Sequence, residues 1–364
     1  MELLRRRAYA RAGLVGNPSD GYHGRTLSVI VRNFFAEVVL YEWEDLEIIL
    51  SQEDRSRFGS IHELRHDVKL HGYYGGARLV KATIKRFVEY CTAKGLELHD
   101  RNFSIRYESN IPRAVGLAGS SAIIVATLRA LMDFYRVEIP EIVQPSIALS
   151  VETQDLGIAG GLQDRVIQVM EGLVFMDFSK ERMQRIDGYD CGYYERLPLS
   201  VLPPIYIAYS AEAGEPTEVT HGPLRARYLA GDPAVHAAMS HFASLAQRSQ
   251  QALLAGDCDS FATLMNENFD TRRTICDLSA THIRMIETAR STGASAKFAG
   301  SGGAIVGTYH NEATSTSRRS PRRTWSFLPR LPVSGPSISR KRYARASTSS
   351  WRSRLLSMRR VCAA

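Results

Sequence analysis

The segment that most restricts this chain is Pro112-Arg113-Ala114-Val115-Gly116-Leu117-Ala118-Gly119-Ser120-Ser121-Ala122, which runs straight into an apolar stretch from Ile123 to Met132. A glycine-bearing turn that ends in two hydroxyls and opens an apolar run predicts a largely buried helix, stopped before Pro140. Such a turn suits phosphate. Glycines let the backbone approach an anion, and the N–H groups of the first helical turn have no partner of their own. Ser120 and Ser121 add hydroxyl oxygens for the phosphate or for a magnesium ion riding on it. The motif is not the Walker pattern, since no G-K-[ST] is present. Read alone, the same residues also suit a plain helix cap.

Two further glycine-bearing segments change the balance. Ala10-Arg11-Ala12-Gly13-Leu14-Val15-Gly16-Asn17-Pro18-Ser19-Asp20 places a cation, two glycines and a polar cluster after a strand-like start. Asn, Ser and Asp side chains can bind several hydroxyls of a sugar or polyol, although an Asn-Pro turn closed by its own side chain fits too. Lys297-Phe298-Ala299-Gly300-Ser301-Gly302-Gly303-Ala304-Ile305-Val306 feeds a flexible loop into an apolar strand, which permits close approach to a ligand or a tight hairpin. Three such loops in one chain point to a ligand with phosphates and hydroxyls.

Together the three segments resemble the three motifs of the GHMP kinases, the superfamily of galactokinase, homoserine kinase, mevalonate kinase and phosphomevalonate kinase. Within it the chain is most similar to the glucuronokinases. The likeness covers roughly residues 5–307 and includes Gly72-Tyr73-Tyr74-Gly75-Gly76, Asn110-Ile111-Pro112-Arg113 and Gly161-Leu162-Gln163-Asp164-Arg165-Val166. It implies an α+β fold of two lobes, the first similar to a ribosomal protein and the second ferredoxin-like. It also implies ATP, magnesium and transfer of the γ-phosphoryl group to a sugar hydroxyl, the anomeric hydroxyl of glucuronate above all. Another small-molecule kinase of the superfamily, acting on a heptose, galactose or fucose, is the alternative.

The resemblance assigns roles residue by residue. Gly116, Leu117, Ala118, Gly119, Ser120, Ser121 and Ala122 become the ATP phosphate loop. Glu152 becomes the magnesium carboxylate, with Ser121 its hydroxyl partner and Ser120 the alternate. Asp164 becomes the catalytic aspartate that orients the sugar hydroxyl and accepts its proton; as a residue it equally suits an N-cap for a helix over Arg165–Met170. Arg11 becomes the cation that keeps Asp164 ionised. Asn17, Asp20 and Gly302 become sugar ligands. A uronate carboxylate calls for an arginine fork, for which Arg113, Arg165, Arg272 and Arg273 are candidates, with Tyr22 and His23 beside the sugar.

Charge needs dividing along the chain. Its 46 basic and 38 acidic residues give a net +8, which on its face suggests an anionic macromolecular partner. Residues 311–364, however, hold twelve Arg and one Lys against a single acid, Glu312, which leaves 33 basic and 37 acidic residues before them. The folded body therefore gives no reason to expect nucleic acid, and a nucleic-acid-binding protein is the remote reading. Segment 311–364 lacks helical or strand period, so disorder is expected there, and the break in pattern near residue 310 resembles a shift of reading frame. No apolar run is long enough for a membrane span, and the start has basic residues without the apolar core of a signal peptide. Five scattered cysteines with no metal-ligand spacing read as reduced thiols of a cytoplasmic protein.

Periodicity supplies the elements. Strands are expected at Arg6–Gly13, Leu27–Trp43, Phe103–Glu108, Gly172–Phe178 and Ile205–Tyr209. Helices are expected over Ala77–Thr92, Gln144–Val151, Ala234–Leu254, Cys258–Ser279 and Thr281–Ser291. The proline-punctuated stretch Pro198–Pro204 suggests a division into lobes 1–197 and 198–310.

Overall fold

The structure, a computed structural model, describes residues 3–49, 75–210 and 217–309, with side chains omitted for 217–222. Tyr73, Tyr74 and the basic segment 311–364 lie outside the described residues. Residues up to Tyr309 form one compact unit.

Its first sheet is built on an unusually long hairpin. β1 (Leu3–Val15) pairs antiparallel with β2 (Arg25–Trp43), so Arg11 lies opposite Ile30 and Gly13 opposite Ser28. The other edge of β2 is shared. A short β3 (Glu47–Ile49) runs parallel to β4 (Asn102–Ser109), which pairs with the far half of β2, while β5 (Leu173–Asp177) pairs with the near half. Between β3 and β4 lies helix α1 (Gly76–Ala93), and between β4 and β5 come α2 (Gly119–Tyr135), α3 (Gln144–Ser150) and α4 (Gln163–Met170). A small hairpin, β6 (Gln184–Ile186) and β7 (Tyr189–Cys191), leads to β8 (Tyr193–Leu197), which closes the sheet against β5.

α2 fixes this lobe. Its apolar residues are buried nearly all round because β1 and β2 cover one side and α1, α3 and α4 the other. Ala8, Ala10 and Ala12 repeat with the strand period, giving β1 a small-residue face close to the helix. Each fully buried Ile, Leu or Val in this layer contributes about 1.5–3 kcal/mol.

The second sheet starts at β9 (Ile205–Tyr209). Four helices follow: α5 (Thr217–Leu229), α6 (Pro233–Leu254), α7 (Cys258–Ile275) and α8 (Ala280–Arg290). β10 (Lys297–Phe298) and β11 (Ala304–Thr308) complete the antiparallel order β10-β11-β9 among the described residues. Asp232, Asp257 and Ser279 cap α6, α7 and α8 by accepting from first-turn N–H groups.

The expected strands and helices are all present, with ends displaced by a few residues. α5 was not expected, and neither were the short strands of residues 184–197.

Candidate active site

The three glycine loops meet where the end of β1 touches the second sheet, Gly13 N–H donating to Ala299 O. Arg11 binds them together. Its Nε and Nη2 donate to the two Asp164 carboxylate oxygens at 2.6 and 2.9 Å, and its Nη1 donates to the carbonyls of Gly116 (2.6 Å) and Ala299 (3.3 Å). A bidentate fork of this kind fixes both partners in one plane. The loops touch through bare backbone: a Cβ on Gly116 would come within 2.9 Å of the Gly302 carbonyl, and one on Gly300 would strike Gly116 and Arg11. Arg272 holds the third loop from beneath, donating to Gly300 O at 2.7 Å and Ser301 O at 3.1 Å.

The phosphate loop has left-handed backbone at Ala114, Gly116 and Ala118, with residues of ordinary handedness between them. Such alternation turns successive N–H groups toward one concavity. Ala118 stands at the N-cap of α2, so the N–H groups of Gly119, Ser120 and Ser121 lie beyond the reach of its i−4 bonds. Leu117 and Ala122 are buried and anchor the loop.

Hydroxyl placement corrects the expected pairing. Ser121 is 1% exposed and donates back to Ala118 O at 3.3 Å, whereas Ser120 donates to Glu152 Oε1 at 2.7 Å. Glu152 sits in a single π turn, Val151–Asp155, that continues α3; wide turns of this kind recur at functional sites. Its other oxygen is taken by Arg165. Lys85 and Arg86 of α1 clamp Asp155 at the end of the same turn, at 2.6 and 2.7 Å.

Asp164 is not a cap. α4 begins at Gln163 with Leu162 as N-cap, and the Asp164 carboxylate points to Arg11 with about a quarter of its side chain open. Asp20 approaches from the 3-10 turn Ser19–Tyr22: it accepts from the Gln163 N–H at 3.4 Å and fills the place a Gly161 side chain would occupy. Burial and the neighbouring Asp164 carboxylate push its pKa up to about 6.

Asn17 is mostly committed to the fold. It is 5% exposed, its side-chain oxygen accepts from Lys297 Nζ at 2.6 Å, and its carbonyl accepts from Asn268. Lys297 also donates to Gly13 O and Phe298 O, at 2.7 Å each, and burial lowers its pKa far below the ordinary lysine value. This junction ties the first loop to β10 and engages the Asn17 side-chain oxygen and carbonyl, leaving its side-chain N–H groups as the donors it could offer. Gly302 does line a small cleft, with Asp277, Ser279 and His282.

Among the described residues no three His, Cys, Asp or Glu side chains gather as metal ligands, and no helix is long and apolar enough to cross a membrane. The Ser120 hydroxyl and the buried Glu152 carboxylate are hard oxygen donors beside the first turn of α2. They suit a cation that takes its remaining ligands from phosphate and water, as magnesium does.

Comparison with known proteins agrees with this geometry. Residues 78–172 match the family model described as "GHMP kinases N terminal domain". The chain is 45% identical over 309 residues to glucuronokinase 1 of Arabidopsis thaliana, covering 83% of this chain and 84% of that one. Identity to D-glycero-alpha-D-manno-heptose 7-phosphate kinase of Campylobacter jejuni is 25% over 288 residues, 76% of this chain and 79% of that one. Among solved structures, the mevalonate kinase of Methanococcus jannaschii superposes with a TM-score of 0.62 at 18% identity, covering 85% of this chain and 91% of that one.

Proposed function

The chain belongs to the GHMP kinases, and we propose that it transfers the γ-phosphoryl group of ATP to the anomeric hydroxyl of D-glucuronate, giving glucuronate 1-phosphate. The substrate is inferred from the 45% identity to a plant glucuronokinase. The observation that supports the chemistry best is the Arg11–Asp164 pair beside Asp20 and below the phosphate loop.

Phosphoryl transfer asks a protein for alignment and charge more than for covalent chemistry. The N–H groups of Gly119, Ser120 and Ser121 cradle the triphosphate, and Asp20 accepts from sugar hydroxyls. Asp164 takes the proton of the attacking hydroxyl as the new O–P bond forms and the bond to the β-phosphate oxygen breaks, releasing ADP. Arg11 keeps Asp164 ionised and aimed. Ser120 and Glu152 would hold magnesium, which neutralises phosphate charge when bound. The partners are thus a small sugar acid and ATP, with no nucleic acid or membrane required. A cytoplasmic compartment fits the free thiols of Cys91, Cys191, Cys258 and Cys276.

A second reading, a heptose-type kinase, is favoured only by the 25% identity to the bacterial enzyme. ADP release measured over glucuronate, galacturonate, glucose, galactose and a heptose 7-phosphate separates the two. Glucuronate is expected to give the highest kcat/KM; preference for the heptose phosphate would overturn the proposal.

A further inference from the structure

A kinase for a uronic acid must tell a carboxylate from the hydroxymethyl group of a neutral hexose, and a cation is the natural reader. That carboxylate is carried on C5, across the ring oxygen from the anomeric carbon. Its reader therefore belongs on the open side of Asp164, not behind the loops.

Most arginines near the site are already committed. Arg11 is spent on Asp164 and two carbonyls, Arg165 on Glu152 and Gly161 O, and Arg272 on Gly300 and Ser301. Arg165 and Arg272 are also buried. Arg273 faces Glu287 on the outer side of α7, and Arg227 faces Asp232 and Ile275 O. Arg113 is exposed and lies three residues before Gly116, in the segment read as the ATP loop rather than the sugar site.

Arg225 differs from all of these. It is exposed on α5, and no acidic side chain pairs with it among the described residues. Tyr228, three residues on and so on the same helix face, packs its ring against Tyr22 with centroids 4.6 Å apart. Tyr22 closes the 3-10 turn that carries Asp20. Arg225 therefore faces the turn that supplies the sugar-binding carboxylate. Electrostatics agree: burial pushes the Tyr22 phenol up, and the Arg225 cation opposes it.

We propose that Arg225 is the specificity residue of the sugar site, the cation that binds the C5 carboxylate of the uronate while Asp20 takes the hydroxyls. The assignment rests on the reading of the chain as a glucuronate kinase. It explains how a site whose other arginines are locked into structure can still prefer an anionic sugar, with Tyr22 and Tyr228 walling one side of the carboxylate.

The test compares glucuronate with its uncharged amide, glucuronamide, in the wild-type chain, Arg225→Gln and Arg225→Lys. A charge-assisted contact at a part-exposed site is expected to be worth about ten- to a hundredfold in KM. Arg225→Gln should raise KM for glucuronate by that factor, move KM for glucuronamide and for ATP less than twofold, and so erase the preference for the acid. Arg225→Lys should restore part of it. If the wild type prefers glucuronate and Arg225→Gln keeps that preference, Arg225 is not the reader and the substrate assignment stands. A wild type that takes acid and amide equally has no carboxylate reader, which also overturns the inference. A wild type that phosphorylates neither overturns the substrate assignment, and the inference with it.

Discussion

At the scale of single residues, the site depends on how carboxylates are partnered. Asp164 has both oxygens on one guanidinium yet keeps an open edge, the condition for a base that must meet a substrate hydroxyl. Asp164→Asn is expected to lower kcat about 10²–10⁴-fold while ATP binding, read by nucleotide titration, changes little. Asp20 gives a pH dependence. Its pKa of about 6 lies above the ordinary 3.8, so below pH 6 the free enzyme holds it protonated and short of acceptor oxygens. kcat/KM for the sugar should rise with pH through about 6, and Asp20→Asn should remove that step. The stability sign is the reverse: a folded-state pKa above the unfolded one means that this group's contribution is present below 3.8 and is lost as pH rises through about 6. A pH-rate profile of the wild type and Asp20→Asn checks the first statement, and denaturant unfolding of both across roughly pH 3–7 checks the second. The residue types of the site were legible in the sequence through the Arg11, Glu152 and Asp164 motifs. Their partners were not, because Asn17 and Lys297 meet across 280 residues and no local pattern encodes that contact.

At the scale of elements, two neighbouring serines take different roles because a helix turns about 100° per residue. The left-handed Ala118 at the N-cap sets the phase, directing Ser120 toward Glu152 and Ser121 back to its own turn. Ser120→Ala should therefore weaken magnesium-dependent ADP binding, followed by calorimetry, several-fold more than Ser121→Ala, and should be non-additive with Glu152→Gln. Equal effects of the two serines would contradict the phase. The family resemblance puts Ser121 first and Ser120 second; the cap conformation reverses that order for contact with Glu152. Local pattern hid α5, where Gly222 and Pro223 sit inside the helix and read as breakers. The expected helix Gln144–Val151 stops short of Glu152 in the π turn, whose far end is held by the clamp on Asp155 from α1, a tertiary contact. Strands β1 and β2 and helices α2, α6 and α7 were legible because a one-sided or fully buried core imposes its period on the residues.

At the scale of the whole molecule, the two sheets are joined through β1: its first residues pair along β2, and its last carry Gly13 into contact with Ala299 at 2.8 Å. Buried Lys297 and Arg11 cross the same boundary, so Asp164, the loop at Gly116 and the third glycine loop share one set of hydrogen bonds. This arrangement matches a reaction in which nucleotide and sugar must be aligned by one rigid frame. The net +8 of the chain comes from 311–364, since residues 1–310 hold 33 basic against 37 acidic side chains. The proposed reaction requires this frame to place the anomeric hydroxyl of glucuronate, and no other, in line with the γ-phosphate. Phosphorus NMR of the product formed from ATP and glucuronate decides it. One new phosphate ester whose phosphorus couples to the anomeric proton is expected; coupling to any other ring proton, or release of free phosphate alone, would rule the reaction out.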